Sequence, residues 1–221
     1  MSSYNLENLQ KLLNVTLLYN NGYKISKIAN LPNSEIPVLV HELNVKDNDQ
    51  DHVINSLKLA MVNFDHVLFH NTYNELAINK SFREVLSTVL IPFLNQLGML
   101  WQTDSIHSSH EHFMTGLVRQ KIIHNTEKLQ LTIPVRNDKT FVLFLPDNEI
   151  HELGLLYINY ELLLRGYKTI YLGQTVSINS LKVLVATKEN LHFVSYFTVQ
   201  PSRDKLESYL EQFDKEINLS D

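Results

Sequence analysis

The first part of the chain repeats its apolar residues in threes and fours, and the last part gathers them into short unbroken runs. Between residues 51 and 128 the three- and four-residue spacing predicts helices near 51–64, 66–79, 81–100 and 105–126. Val85, Val89, Phe93, Leu97 and Leu100 form the clearest stripe, and a four-helix bundle is the simplest packing of such a set. After Pro134 the pattern changes. FVLFLP (141–146) is an apolar run of strand length, the kind that is buried on both faces of a parallel sheet. A predicted helix over 149–165 is ended by Gly166; strand KTIYLG, helix SINSLKVLVATKEN, strand LHFVSYF and helix SRDKLESYLEQFDKEI follow. Alternating β and α elements predict an α/β doubly wound sheet after an all-α region. Because sheets commonly carry about five or six strands, the pattern also predicts a sheet truncated at its C-terminal end.

Upstream, residues 4–31 read as two short helices. Leu6, Leu9, Leu13, Leu17 and Leu18 share a face of the first, with Gly22 where a helix C-cap belongs; ISKIANL forms the second and stops before Pro32. PNSEIP is a break, residues 38–43 a brief helix, and KDNDQD a polar linker. Three regions result: 1–45, 50–130 and 138–221.

Composition narrows the chemistry. The 221 residues are 44% hydrophobic and 19% charged, enough to bury a sizeable core. Cysteine is absent, which excludes disulfides, thiolate nucleophiles and thiolate metal sites, and leaves ten histidines as nitrogen ligands. No run approaches the roughly 18 apolar residues of a membrane span and the N-terminus lacks a signal-peptide pattern, so a cytoplasmic protein without membrane contact is expected. A net charge of −5 lacks the electrostatic footprint of a duplex-binding surface.

In an open α/β sheet, ligands gather at the loops beyond the carboxyl ends of the strands. The loop PDNEIHELG lies there, without the glycines of a phosphate cradle. If it curls, Glu149 can accept the second ring N–H of His151 and make the imidazole a better metal ligand, while Gly154 leaves room for a bulky group. The competing reading is a solvated helix start, with Asp147 and Glu149 complementing the helix dipole. LGMLWQTDSIHSSHEHF offers a second set. Trp101 can pack over a flat ligand, Glu111 can accept from ribose hydroxyls and His112 can line the pocket, unless Trp101 is bundle core and Glu111 a surface charge. Zinc at His107, His110 and His112 is a weaker alternative, since histidines on a first helical turn are expected to be solvated. No nucleophile elbow or H-E-x-x-H appears, so no enzyme is expected.

Glu149, His151 and Gly154 resemble the E-x-H-x-x-G version of the cobalamin-binding motif. The resemblance implies a Rossmann-like (flavodoxin-like) cobalamin-binding domain at 138–221 with His151 as lower axial ligand to cobalt. It also implies a dimethylbenzimidazole tail displaced into the sheet, where Ser195 matches a serine or threonine that meets it. Trp101, nine residues, then Glu111-His112 resembles the W-x9-E-H pattern of cobalamin-dependent transcription regulators related to MerR, which implies that 50–130 is a cap over the upper cobalt face. The N-terminal helices are similar to the second half of a MerR-type winged-helix domain, with recognition helix and wing missing. The resemblance therefore implies a sensor of cobalamin, most simply adenosylcobalamin. Such a sensor would form a dimer or tetramer and engage operator DNA through a DNA-binding domain that this chain lacks. Gln102 stands where light-sensing relatives carry a histidine, so light dependence is left open, and the glycine pair of a later loop is absent. Two alternatives stay open: a corrinoid carrier of a methyltransferase system, although carriers generally have Asp in place of Glu149 and lack the W-x9-E-H cap, and a cobalamin-independent regulator that keeps the fold.

Overall fold

The computed structural model describes residues 12, 14–16, 18, 19, 22–32, 35, 36, 39, 50–102, 107–132 and 134–217, with side chains omitted at 50, 51 and 98–102. The chain divides into two compact units, Met1–Val118 and Arg119–Asp221.

The first unit is helical. Helix α1 (Ile25–Ala29) follows Gly22, whose positive φ lets the preceding turn close through Tyr23 N–H onto Leu18 C=O at 3.0 Å. Leu6, Leu9, Leu13 and Leu17 and most of the expected helix at 38–43 lie outside the described residues. Helices α2 (Gln50–Val62) and α3 (His66–Asn79) are joined by a turn in which Asp65 Oδ1 accepts the Leu68 N–H at 2.9 Å and so starts α3. Ser81 and Glu84 then build a capping box that opens α4 (Phe82–Val85). The single helix expected over 81–100 is in fact α4, a π-helical turn (Leu86–Leu90) and α5 (Ile91–Gln102). Val85, Val89, Phe93 and Leu97 are fully buried, together with Leu57, Met61, Phe69 and Met114. At about 1.5–3 kcal/mol for each such side chain, their burial supplies the main stabilisation of this unit. Helix α6 (Ser108–Gln130) belongs to the first unit as far as Val118 and to the second from Arg119.

The second unit is a three-layer α/β arrangement. Strands β1 (Arg136–Phe144), β2 (Tyr167–Gly173) and β3 (Leu191–Ser195) form a parallel sheet in the order β2-β1-β3. Helix α7 (Leu153–Leu164) packs on one face around Leu143, Leu145 and Leu155. Helices α8 (Ile178–Thr187) and α9 (Leu206–Ile217) cover the other, around Val142, Phe144, Ile178, Leu181 and Ile217. Strand β1 begins five residues earlier than its apolar run, because the exposed Arg136 still pairs with Tyr167 of β2, ahead of an irregularity after which pairing resumes at Thr140↔Lys168. It ends at Phe144, ahead of Pro146, which has no N–H to donate to a ladder. Gly166, at φ +79°, stops α7 by donating its N–H to Leu163 C=O. Helix α7 starts at Leu153 and not at residue 149; residues 149–152 are loop. No helix among the described residues is long and apolar enough to cross a membrane.

Candidate functional site

Strand β1 is central, and the chain passes from it to β2 on one side and then crosses over to β3 on the other. In a parallel sheet that change of direction opens a crevice at the carboxyl ends, between the loops that follow β1 and β3. Both loops converge on one carboxylate. Glu149 is 0% exposed. Its Oε1 accepts the N–H groups of Ile150 and His151, each at 2.9 Å, and its Oε2 accepts those of Thr198 (3.2 Å), Val199 (2.7 Å) and Gln200 (2.8 Å). Burial alone would raise the pKa of Glu149; the amides of Gln200, Val199 and His151 and the His151 ring outweigh it and hold the carboxyl well below the usual range. The reading of Glu149 as a charge on a solvated helix start is thus corrected: it precedes α7 and is withdrawn from water to knit the two loops together.

The loop curls as that arrangement demands. His151 Nδ1 lies 2.6 Å from Glu149 Oε1. An ionised carboxylate can only accept, so Nδ1 carries the hydrogen, and in the neutral ring Nε2 keeps its lone pair. The side chain is 55% exposed, and that lone pair has no protein partner among the described residues. Ile150, next to His151 in the loop after β1, and Tyr196, Phe197 and Val199, in the loop after β3, are exposed apolar side chains. Gly154 does admit a bulky group, but the group is the chain's own: a Cβ there would stand 3.2 Å from the Tyr196 ring. Among the described residues, Ser195, at the end of β3, has a buried Oγ without a hydrogen-bond partner, and Tyr209 of α9 has a buried hydroxyl in the same condition.

Next to His151, Glu152 is 7% exposed and fully engaged. Arg119 Nε and Nη2 each approach its Oε1 at 2.7 Å, and Tyr171 donates its hydroxyl to Oε2 at 2.9 Å. Gln174 Nε2 donates to Ile150 C=O at 2.9 Å, which ties the same loop to the end of β2. Neither the Glu152 cluster nor the Thr198–Gln200 amides were marked by any local motif.

The remaining candidates lie in the helical unit. Trp101 and Gln102 end α5, and their side chains are outside the described residues. Glu111, in the first turn of α6, accepts from Thr115 Oγ1 at 2.6 Å and meets His112 Nδ1 at 2.7 Å; His112 is 77% exposed. The expectation that the neighbouring histidines are solvated fails at His110, which is 1% exposed because its ring stacks on Phe64 at 4.7 Å and its Nδ1 accepts the His107 N–H. Among the described residues no three His, Asp or Glu side chains converge as a protein-built zinc site would require. The lone imidazole of His151 instead fits a metal that brings most of its own ligands, as one held in a macrocycle does.

Comparison with known proteins agrees with that chemistry. Residues 53–124 match the family model of the B12 binding domain. The monomethylamine corrinoid protein of Methanosarcina barkeri shares the fold at a TM-score of 0.62, with 14% identity over 76% of this chain and 80% of that one. The methanol:cobalamin methyltransferase complex of the same organism aligns at 15% identity over 89% of this chain and 74% of that one, with a TM-score of 0.36. No curated protein matches the chain. Helices followed by a small parallel sheet are thus the fold of a corrinoid protein, and the helical segment is related in sequence to a domain that binds B12.

Proposed function

We propose that this protein binds a corrinoid, with His151 Nε2 as lower axial ligand, and presents it to a partner enzyme as a carrier. The observation that carries this is the buried, ionised Glu149, which fixes the Nδ1–H tautomer of His151 and leaves Nε2 outward at the carboxyl edge of a parallel sheet. The cofactor would supply cobalt and its organometallic chemistry. The chain would supply the axial imidazole, the exposed apolar side chains of Ile150, Phe197 and Val199, and the unpartnered Ser195 hydroxyl for the nucleotide tail. Glu111 and His112, with Trp101, are the residues assigned to the upper side. The B12 match over the helices and the corrinoid-protein fold support the carrier reading.

A second reading has a specific observation in its favour. Trp101, nine residues, then Glu111-His112, together with Glu in place of Asp at position 149, is the pattern of the MerR-related regulators. In that case the same site would be a sensor, with adenosylcobalamin as its ligand and dimer or tetramer formation as its output. One experiment separates the outcomes. The chain is incubated in the dark with methylcobalamin or adenosylcobalamin, desalted, and its visible spectrum compared with that of His151→Ala. Retained corrinoid whose band changes in the variant supports the axial role; no retention by the unaltered chain refutes corrinoid binding. Selective retention of the adenosyl form with a change of oligomeric state favours the sensor over the carrier.

A further inference from the structure

We infer that Arg119, Glu152 and Tyr171 form a positioning cluster that holds the His151 loop in its ligand-donating form; this rests on the proposed axial role of His151. Glu152 is the N-cap residue of α7, yet its side chain caps no helical N–H. Short polar side chains cap a helix from that position, and this longer carboxylate reaches away from the helix instead. It is drawn into a buried site where Oε1 takes Nε and Nη2 of Arg119 and Oε2 takes the Tyr171 hydroxyl, so both oxygens are occupied.

The geometry gives that diversion a purpose. His151 sits between two anchored carboxylates. Two residues before it, Glu149 is pulled toward the loop after β3; one residue after it, Glu152 is pulled toward α6 and β2. The short stretch between is drawn tighter by Glu152 N–H donating to Ile150 C=O at 2.9 Å. An imidazole on a free loop loses affinity for a metal through its own disorder; one pinned on both sides does not. A merely stabilising ion pair is a poor account of the cluster, because the Arg119 side chain is 48% exposed and a pair so open to water commonly contributes about 1 kcal/mol or less. Burial of Tyr171, reinforced by its bond to Glu152, raises its pKa, so the phenol keeps the proton that it donates.

The test uses the full chain with methylcobalamin as probe, at one pH and saturating probe concentration. Arg119→Gln and Glu152→Gln are expected to retain corrinoid while the ratio of imidazole-coordinated to uncoordinated probe falls about tenfold, the lower end for loss of an outer partner of a metal ligand. Tyr171→Phe should lose less, and Arg119→Lys, which keeps the charge but not the two-nitrogen grip, should recover part of the loss. A wild-type ratio in the first two variants, with far-UV circular dichroism unchanged, would overturn the inference. If the unaltered chain retains no cobalamin, the corrinoid reading has failed, and the positioning claim is judged on the free protein. In 15N-histidine-labelled chain the Nδ1–H signal of His151 should broaden or vanish in Glu152→Gln and persist in the exposed control Glu189→Gln. An unchanged signal in Glu152→Gln would refute the cluster's hold on the ring.

Discussion

Replacing Glu149 by Gln removes a charge and changes the shape of nothing, which makes it a clean probe of the amide cradle. The two carboxylate oxygens accept five backbone N–H groups and the His151 ring. In the amide one oxygen becomes an NH2 that must face either the Ile150 and His151 amides or those of Thr198, Val199 and Gln200. In either orientation at least two buried donors lose their acceptor, at about 1–3 kcal/mol each. A loss of about 3–5 kcal/mol is expected, which for a unit of about 100 residues lowers Tm by at least ~12 °C. Differential scanning calorimetry of the full chain, with the second unit's transition followed by far-UV circular dichroism, measures it. His151→Ala, which removes only one exposed partner, should cost about 1 kcal/mol or less. The pH dependence gives an independent check. The folded pKa of Glu149 lies below its unfolded value of about 4.3, so its contribution is complete above that pH and is lost as pH falls below it. The acid limb of the stability curve should therefore be shallower in the Gln variant. A loss under about 1 kcal/mol, with the acid limb unchanged, would mean that water already reaches these amides and would refute the cradle as a source of stability.

Three further outcomes are expected. Gly166→Ala should destabilise the second unit by about 1–2 kcal/mol in urea unfolding, because φ is +79° and the new Cβ would stand 2.4 Å from Val135 Cγ2. Gly154→Ala should leave stability within about 1 kcal/mol of wild type, since better helix propensity offsets a 3.2 Å approach to a Tyr196 ring that is exposed enough to move; the displaced ring should be visible as a shifted tyrosine signal in NMR. Burial, and then the nearby His107, lower the pKa of His110, so the helical unit should lose stability as pH falls through the unfolded histidine value of about 6.5. Urea midpoints at pH 7.5 and 5.5 should differ less in His110→Phe than in wild type.

Much of this fold was legible because it rests on local rules. Three- and four-residue spacing marked Val85, Val89, Phe93 and Leu97 as a buried face, the run around Val142–Phe144 as a two-sided strand, and Gly166 as a helix end. The Glu149–His151 contact was legible for the same reason, since two residues in one tight loop need only their own turn to meet. What was not legible depended on residues far apart in the chain. Glu149 meets Thr198, Val199 and Gln200 at separations near 50 residues, and Arg119 meets Glu152 at 33. No spacing rule reports a backbone N–H that will be supplied by another loop, which is why the pattern extends the helix back to residue 149 and leaves a solvated carboxylate open as an alternative. The π-helical turn at Leu86–Leu90 escaped because its apolar positions are indistinguishable from those of an α-helix. His110 was misplaced because its burial comes from stacking on Phe64, a residue of another helical hairpin.

The cradle around Glu149 also fixes an order of events during synthesis. When β1 and its loop first form, Glu149 Oε2 has none of these donors to accept from, because the N–H groups of Thr198, Val199 and Gln200 lie about 50 residues further along the chain. Closing that loop carries an entropic cost that only the finished β3 and its turn can offset. The carboxylate behind the histidine is therefore anchored only once the later strand and its turn are in place. A nascent or partly opened chain would present an imidazole held by its own loop alone, and only the completed unit one whose partner carboxylate is itself held.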